Sequence, residues 1–333
     1  MKPLKGADEG LEENLRSFFL QTHPDYELLF CVADWDDPAV PIVENLIRQF
    51  PLVSAKLLQG LAPEKLNPKV QNMLPAYAAA RHDLLLISDS NTRVPSDYLE
   101  QMNRLMGEGV GAVSSIVAGR NARGLGAWLD AAYLNTAVAR WMALANVFSH
   151  PCLSGKAMLL RRSVMRRFGG LKNLSRYIAE DYMAGQAVRH LGLTVDITQA
   201  PIDQHLGECS FTAFWRRHVR WGRIRRAQSP PGFFIEPFFN VWTSGLCGAF
   251  AVSALTGFSA PLFFGTHFTL WAAADAWVNH RLLGEWDVRH FLAWFARELL
   301  ALPQWIHTAL GQSVYWRGAR IRLLEGGLVA ETP

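Results

Sequence analysis

Leu84-Leu85-Leu86-Ile87-Ser88-Asp89-Ser90 is a run of four apolar residues that ends on a hydroxyl, an acid and a second hydroxyl. Apolar residues in succession, without alternation, read as a strand covered on both faces, the habit of parallel sheets in α/β proteins. Such sheets present ligand-binding groups at the carboxyl ends of their strands, so Asp89 stands where a metal ion or a sugar would be held. Downstream, Ala179-Glu180-Asp181-Tyr182 places an acidic pair where a helix begins. Arg217-His218-Val219-Arg220-Trp221 sets Arg217, Arg220 and Trp221 at i, i+3 and i+4, on one helix face. Two carboxylates and one basic, aromatic face suit a nucleotide-sugar diphosphate with its divalent ion.

Upstream of that stretch, Lys2 to Gly6 reads as a strand end running into a glycine turn, so the register begins inside a strand and a preceding segment is expected. Leu11, Leu15, Phe18 and Phe19 have helical spacing, and Glu27 to Val32 is a second strand. It ends in Asp34-Trp35-Asp36-Asp37-Pro38, three acids that can ligate a metal, bind a uracil ring and ribose, or cap the helix Val40 to Phe50. Leu52 to Leu58 is a third strand, and Asn67-Pro68-Lys69 opens a helix. A lysine there faces the positive end of the helix dipole, which points to a nearby anion and gives Lys69 a phosphate-facing reading. Strand and helix signals go on alternating to Thr198, with His205 expected in a loop, which predicts an α/β domain with a mainly parallel sheet.

Composition divides the 333 residues in two. From Pro237 to Ala274 there is no Asp, Glu, Lys or Arg. Apolar spans are expected at Pro237 to Thr256, Pro261 to Val278 and Phe291 to Leu310, the last holding Arg297, Glu298 and Pro303. Six arginines between Arg216 and Arg226 precede them, a density expected against lipid headgroups or phosphates and not, beside a membrane segment, against nucleic acid. Four scattered cysteines form no C-x-x-C pair and read as buried thiols. The expected organisation is a cytoplasmic domain over 1–208, an amphipathic interface helix over 209–232, and a membrane region of two or three spans over 233–333.

These pieces, in this order, resemble the ceramide glucosyltransferases, membrane-bound inverting glycosyltransferases. The likeness rests on Lys2-Pro3-Leu4-Lys5-Gly6, Asp34 to Pro38, Asn67-Pro68-Lys69, Ser88-Asp89-Ser90, Ile178 to Tyr182, Arg217 to Trp221 and the closing Trp316 to Leu323. It implies a nucleotide-diphospho-sugar-binding domain of glycosyltransferase-A type, a membrane-helix region after it, and a membrane helix before it. It further implies transfer of one sugar, glucose from UDP-glucose, to the hydroxyl of ceramide, with the catalytic domain on the cytoplasmic side of a multi-pass protein. Asp37, helped by Asp34, would then recognise uridine, and Asp89 would bind Mn2+ or Mg2+ near the diphosphate. Asp181 would be the general base, Arg217, Arg220 and Trp221 would line the diphosphate and acceptor entrance, and Lys5 and Lys69 would assist.

The hopanoid-biosynthesis glycosyltransferases, which use a UDP-N-acetylhexosamine, carry a similar acid series and are the neighbouring alternative. A processive polysaccharide synthase would have Gln in the place of Arg217 and more crossing helices. A non-catalytic nucleotide-sugar-binding membrane protein would have lost one of Asp37, Asp89, Asp181, Arg220 and Trp221, all of which are present.

Overall fold

The computed structural model describes residues 1–60, 66–148, 152–316, 319–322 and 325–328, of which 315, 316, 319–322 and 325 are described by backbone only. The chain forms two compact units, one from residues 1–118 and 141–205, the other from 119–140 and 206–333.

The first unit alternates as the apolar pattern predicts. It runs β1 (Lys2–Leu4), α1 (Leu11–Phe19), β2 (Glu27–Val32), α2 (Ala39–Gln49), β3 (Ser54–Gln59), α3 (Pro68–Ala79), β4 (Leu84–Ile87), β5 (Thr92–Arg93), α4 (Tyr98–Leu105) and β6 (Val110–Arg123). After α5 (Gly124–Ala132), a π-turn at Tyr133–Val138 and α6 (Ala139–Val147), it continues with β7 (Met158–Arg161), α7 (Arg162–Arg167), α8 (Gly170–Leu174), α9 (Glu180–His190) and β8 (Thr194–Glu208). Strands β6 and β8 run on into the second unit.

β1, β2 and β3 pair in parallel, Lys2 opposite Phe30 and Glu27 opposite Ser54. The Met1 ammonium donates to the Leu86 carbonyl at 2.8 Å and Ser88 N–H to the Met1 carbonyl at 3.1 Å, which joins β1 to β4. From there the order is β4-β7-β6-β8-β5, with β7 antiparallel to both β4 and β6 and β5 antiparallel to β8. The sheet is therefore mixed, not mainly parallel. Apolar runs such as Val110 to Val117 report cover on both faces but carry no sign of strand direction. His205 lies within β8, not in a loop. One core packs α1, α2 and α4 on one face of the sheet, around Leu15, Phe18 and Tyr98; the other packs α3 and α7 to α9 around Met73, Leu160 and Val188.

The second unit is helical. α10 (Phe211–Gln228) lies inside the helix expected over 209–232 and opens with Ser210 accepting from Ala213 N–H. α11 (Pro230–Ile235) and a 3-10 turn lead to α12 (Val241–Thr256), α13 (Ala260–Leu283) and α14 (Val288–Ala309), followed by a hairpin of β9 (Ser313–Trp316) and β10 (Ala319–Arg322). Of the closing motif, Arg317, Gly318 and Leu323 lie outside the described residues.

The three apolar segments are helices, but not the spanning helices expected. Among the described residues no single helix is long and apolar enough to cross a membrane; one pair, Pro230–Phe239 with Val241–Thr256, has the composition but is bent by 77°. The reasons are local. α12 has 16 residues, about 24 Å of helix against a hydrocarbon layer of about 30 Å. α13 is longer but carries Asp275, His280 and Arg281. α14 carries Arg297, Glu298 and Pro303.

Three of those charges, Asp275, Arg297 and Glu298, are paired. Asp275 is bound by Arg140 and by Trp294 Nε1 at 2.8 Å. Glu298, 1% exposed, is bound by Arg297 and accepts from Asn240 Nδ2 at 2.6 Å and Val241 N–H at 3.0 Å, which fixes the start of α12 to α14.

At the edge of the parallel strands, Asn72 on α3 donates to the Leu4 and Cys31 carbonyls at 3.3 and 2.9 Å, and Gly60 leaves room for it. A Cβ on Gly60 would lie 2.3 Å from Asn72 Oδ1 and 2.6 Å from Asn72 Cα. We expect Gly60→Ala to cost about 2 kcal/mol through this overpacking, read as a lowered midpoint in urea unfolding; an unchanged midpoint would show that the Asn72 anchor is dispensable.

Candidate active site

Four elements of the first unit bring their polar ends together. β4 delivers Asp89 just beyond its carboxyl end, α3 delivers Lys69 from its first turn, and α9 opens with Glu180 and Asp181. The turn Ser154 to Ala157, closed by Ala157 N–H to the Ser154 carbonyl at 2.9 Å, delivers Gly155 and Lys156.

Lys69 is the hub. Its ammonium lies 2.8 Å from Asp89 Oδ1 and 2.8 Å from Glu180 Oε1, and donates to the Gly155 carbonyl at 3.1 Å. An ammonium has three N–H donors, and these three acceptors use them all. The oddity of a lysine at a helix start is thereby explained, because the compensating anions are Asp89 and Glu180. Asn67 completes the arrangement: its Oδ1 caps α3 at Lys69 and Val70 N–H, while its Nδ2 donates to Glu180 Oε2 at 3.0 Å.

Asp89 is half-buried between two lysines. Lys156 Nζ is 3.2 Å from its Oδ2 and donates to Asn91 Oδ1 at 2.8 Å. Desolvation alone would raise the Asp89 carboxyl, but Lys69 and Lys156 outweigh it and hold the group well below the usual carboxylate range. Lys69 is likewise held above its ordinary value, the two carboxylates overcoming desolvation. Beneath the Asp89 loop, the fully buried Lys2 donates to the Asp89 carbonyl at 2.7 Å and to Ser88 and Thr92 hydroxyls at 3.2 and 3.1 Å. Burial drives its proton affinity well down.

Asp181 differs from Asp89 in its surroundings. Its Oδ2 accepts from Gly155 N–H at 2.8 Å and its Oδ1 from Tyr182 N–H at 2.8 Å, with no lysine against it. Desolvation and then the Glu180 charge raise its carboxyl to about 6, opposed by Lys69. Two carboxylates in one cluster are thus set apart, one kept ionised and one poised near neutrality, the pattern of a site that divides binding from proton transfer.

The remaining residues expected at the site are placed as follows. Asp37 accepts Gly6 N–H on both oxygens, at 2.9 and 3.0 Å, and caps α2 through Ala39 N–H at 2.9 Å; it tethers the glycine turn after β1. Asp34 accepts from Asp36 N–H within the same loop. Lys5 is exposed on that turn.

Arg217, Arg220 and Trp221 lie on α10 in the second unit. There Asp130, buried on α5, binds both Arg217 and His218 Nε2, the latter at 2.6 Å. Burial lowers His218 to about 4 despite Asp130, and Trp221 stacks beside Tyr133. Most of the arginine cluster serves the unit itself: Arg223 donates to the Ser313 carbonyl at 2.7 Å, Arg225 pairs with Glu236 at 2.6 Å, and Arg226 binds the Ala309 and Gly311 carbonyls. Arg216 is exposed.

The Glycosyl transferase family 21 profile matches residues 1–329. The chain belongs to that family. It is similar to ceramide glucosyltransferase 1 of Caenorhabditis elegans, 32% identical over 99% of this chain and 72% of the relative. It is also similar to the ceramide glucosyltransferase of Komagataella phaffii, 27% identical over 97% and 81%. Among solved structures it resembles a mannosyltransferase of Pyrobaculum calidifontis in complex with GDP-Man and Mn2+, with a TM-score of 0.50 and 17% identity over 90% of this chain and 86% of that one. That likeness assigns the glycosyltransferase-A fold, and family membership makes this chain a hexosyltransferase.

The sequence assigned no role to Lys2, Lys156, Gly155 or the first acid of the Glu180-Asp181 pair. Gly155 is detectable only in three dimensions, since a Cβ there would lie 3.1 Å from both Asp181 Oδ2 and Lys69 Nζ. Gly155→Ala must push these two groups by a few tenths of an ångström, so we expect turnover to fall about tenfold with the thermal midpoint nearly unmoved. Unaltered turnover would mean that the spacing of Lys69 and Asp181 is not critical.

Proposed function

We propose that this family 21 transferase moves one glucose from UDP-glucose to the hydroxyl of a membrane lipid, ceramide, with inversion at the anomeric carbon. The reading is carried by one observation: Asp89, Lys69, Glu180 and Asp181 form a single cluster in which Asp181 is tuned to accept a proton near neutral pH. The names of the curated relatives support the donor and acceptor classes.

In this mechanism Asp181 takes the proton of the lipid hydroxyl as its oxygen attacks the anomeric carbon. The bond to the diphosphate breaks on the opposite face, and its electron pair leaves with UDP. Asp37 and Asp34 serve uridine recognition, with Lys5 beside them. Arg217, Arg220 and Trp221 serve the diphosphate and acceptor side.

Asp89 would be the residue that holds Mn2+ or Mg2+. Each of its oxygens takes one lysine and so keeps lone-pair capacity. Among the described residues no three His, Cys, Asp or Glu side chains are placed to hold an ion between them, so donor phosphates and water would have to complete its ligands. Such an ion supplies charge neutralisation for the leaving diphosphate.

Lipid access is supported by the second unit, where Leu246, Phe250 and Leu255 on α12 and Leu262, Leu270 and Trp277 on α13 are exposed. An apolar face of that extent fits a bilayer surface.

The test is incubation of membranes carrying the protein with labelled UDP-glucose and ceramide, followed by product identification. One hexose per lipid is expected; a polymer or an unlabelled ceramide fraction would overturn the reading. A catalytic carboxylate must be ionised to act as base, so kcat/KM should rise with pH through about 6. Asp181→Asn should abolish transfer and leave UDP affinity within about threefold, since it removes a group that acts on the acceptor. Asp89→Asn should weaken UDP binding chiefly when Mn2+ is present; equal effects with and without Mn2+ would remove Asp89 from the cation site.

A further inference from the structure

Lys69 and Lys156 flank the same carboxylate, yet their hydrogen-bonding capacity differs. Lys69 has spent all three N–H donors on Asp89, Glu180 and the Gly155 carbonyl. Lys156 gives one donor to Asp89 Oδ2 and one to Asn91 Oδ1, which accounts for two of three. Its side chain is 20% exposed, so it is half-buried rather than sealed from solvent. Its backbone sits on the short turn whose preceding residue, Gly155, touches both Asp181 and Lys69, so the ammonium is held in register with the whole cluster.

Charge leads the same way. Among the described residues, Asp89, Glu180 and Asp181 are met by Lys69 and Lys156, with the buried Lys2 behind the Asp89 backbone, and Lys69 already answers two of the three carboxylates. A diphosphate entering beside Asp89 adds at least two negative charges, and among the described lysines of the cluster Lys156 has capacity left to meet them.

We propose that Lys156 is a donor-diphosphate ligand, contacting a phosphate oxygen of the bound nucleotide through its third donor, while Lys69 is the fixed positioning residue. The inference rests on the nucleotide-sugar reading given above. It assigns binding of a nucleoside diphosphate, not proton transfer, to Lys156, and it makes the cation and the lysine partial substitutes for one another at the same leaving group.

The experiment compares UDP and uridine as ligands by calorimetry, on the full chain, with and without Mn2+. Wild-type protein is expected to bind UDP more tightly than uridine. Lys156→Gln should weaken UDP by roughly 10- to 100-fold, the span of a lost charged hydrogen bond, leave uridine affinity unchanged, and increase the factor by which Mn2+ improves UDP binding. Lys156→Arg should restore most of the UDP affinity. A UDP affinity in Lys156→Gln within twofold of wild type, or a parallel loss for uridine, overturns the assignment. Failure of wild-type protein to prefer UDP over uridine would instead overturn the donor reading on which it stands.

Discussion

One ammonium group holds the first unit's chemistry together. Lys69 is shared by a carboxylate beyond the end of β4, a carboxylate at the start of α9, and a carbonyl in the turn before β7. A lysine in the first turn of a helix opposes the dipole, and a carboxylate taken from water opposes ionisation. Each cost is met by the other, and the result is a fixed set of distances between groups far apart in the chain. Removing Lys69 would leave Asp89 with one cation and Glu180 with none, which is the expensive direction in which to break a partly buried ion pair.

The same arrangement explains how neighbouring acids acquire different proton affinities. Asp89, between two lysines, is committed to its charge; Asp181, reached by backbone N–H groups and crowded by Glu180, is not. The fold produces these opposite settings by aiming two lysines at the residue beyond β4 and backbone N–H groups at the second residue of α9, an arrangement suited to a site that separates binding from proton transfer.

What could be read along the chain was what has a period or a motif. The four-residue apolar run before Asp89, the helix from Phe211 to Gln228 and the acidic start of α9 appear where their spacing puts them. Strand direction did not appear, because a covered strand is apolar whichever way it runs, and so a mixed sheet was taken for a mainly parallel one. The arginines of α10 were read as facing lipid or phosphate because density of charge is visible in a sequence and partners are not; Asp130, Glu236 and three backbone carbonyls are those partners. Lys156 was invisible for a related reason, since a turn has no period and its neighbours Asp89 and Asn91 are more than sixty residues away.

The path of the chain between its two units bears on how the protein can be dissected. Residues 119–140 belong to the helical unit although they sit between β-strands of the other, so the backbone passes from one unit to the other three times. A fragment ending at residue 208 would keep α5 while discarding α10 and α14, the helices it packs on. Asp130 would then lose Arg217 and His218 and remain as an uncompensated charge among apolar side chains left without cover. The first unit is thus a discontinuous module that cannot be excised by a single cut, and any minimal version of it has to bridge residues 118 and 141 with a new linker.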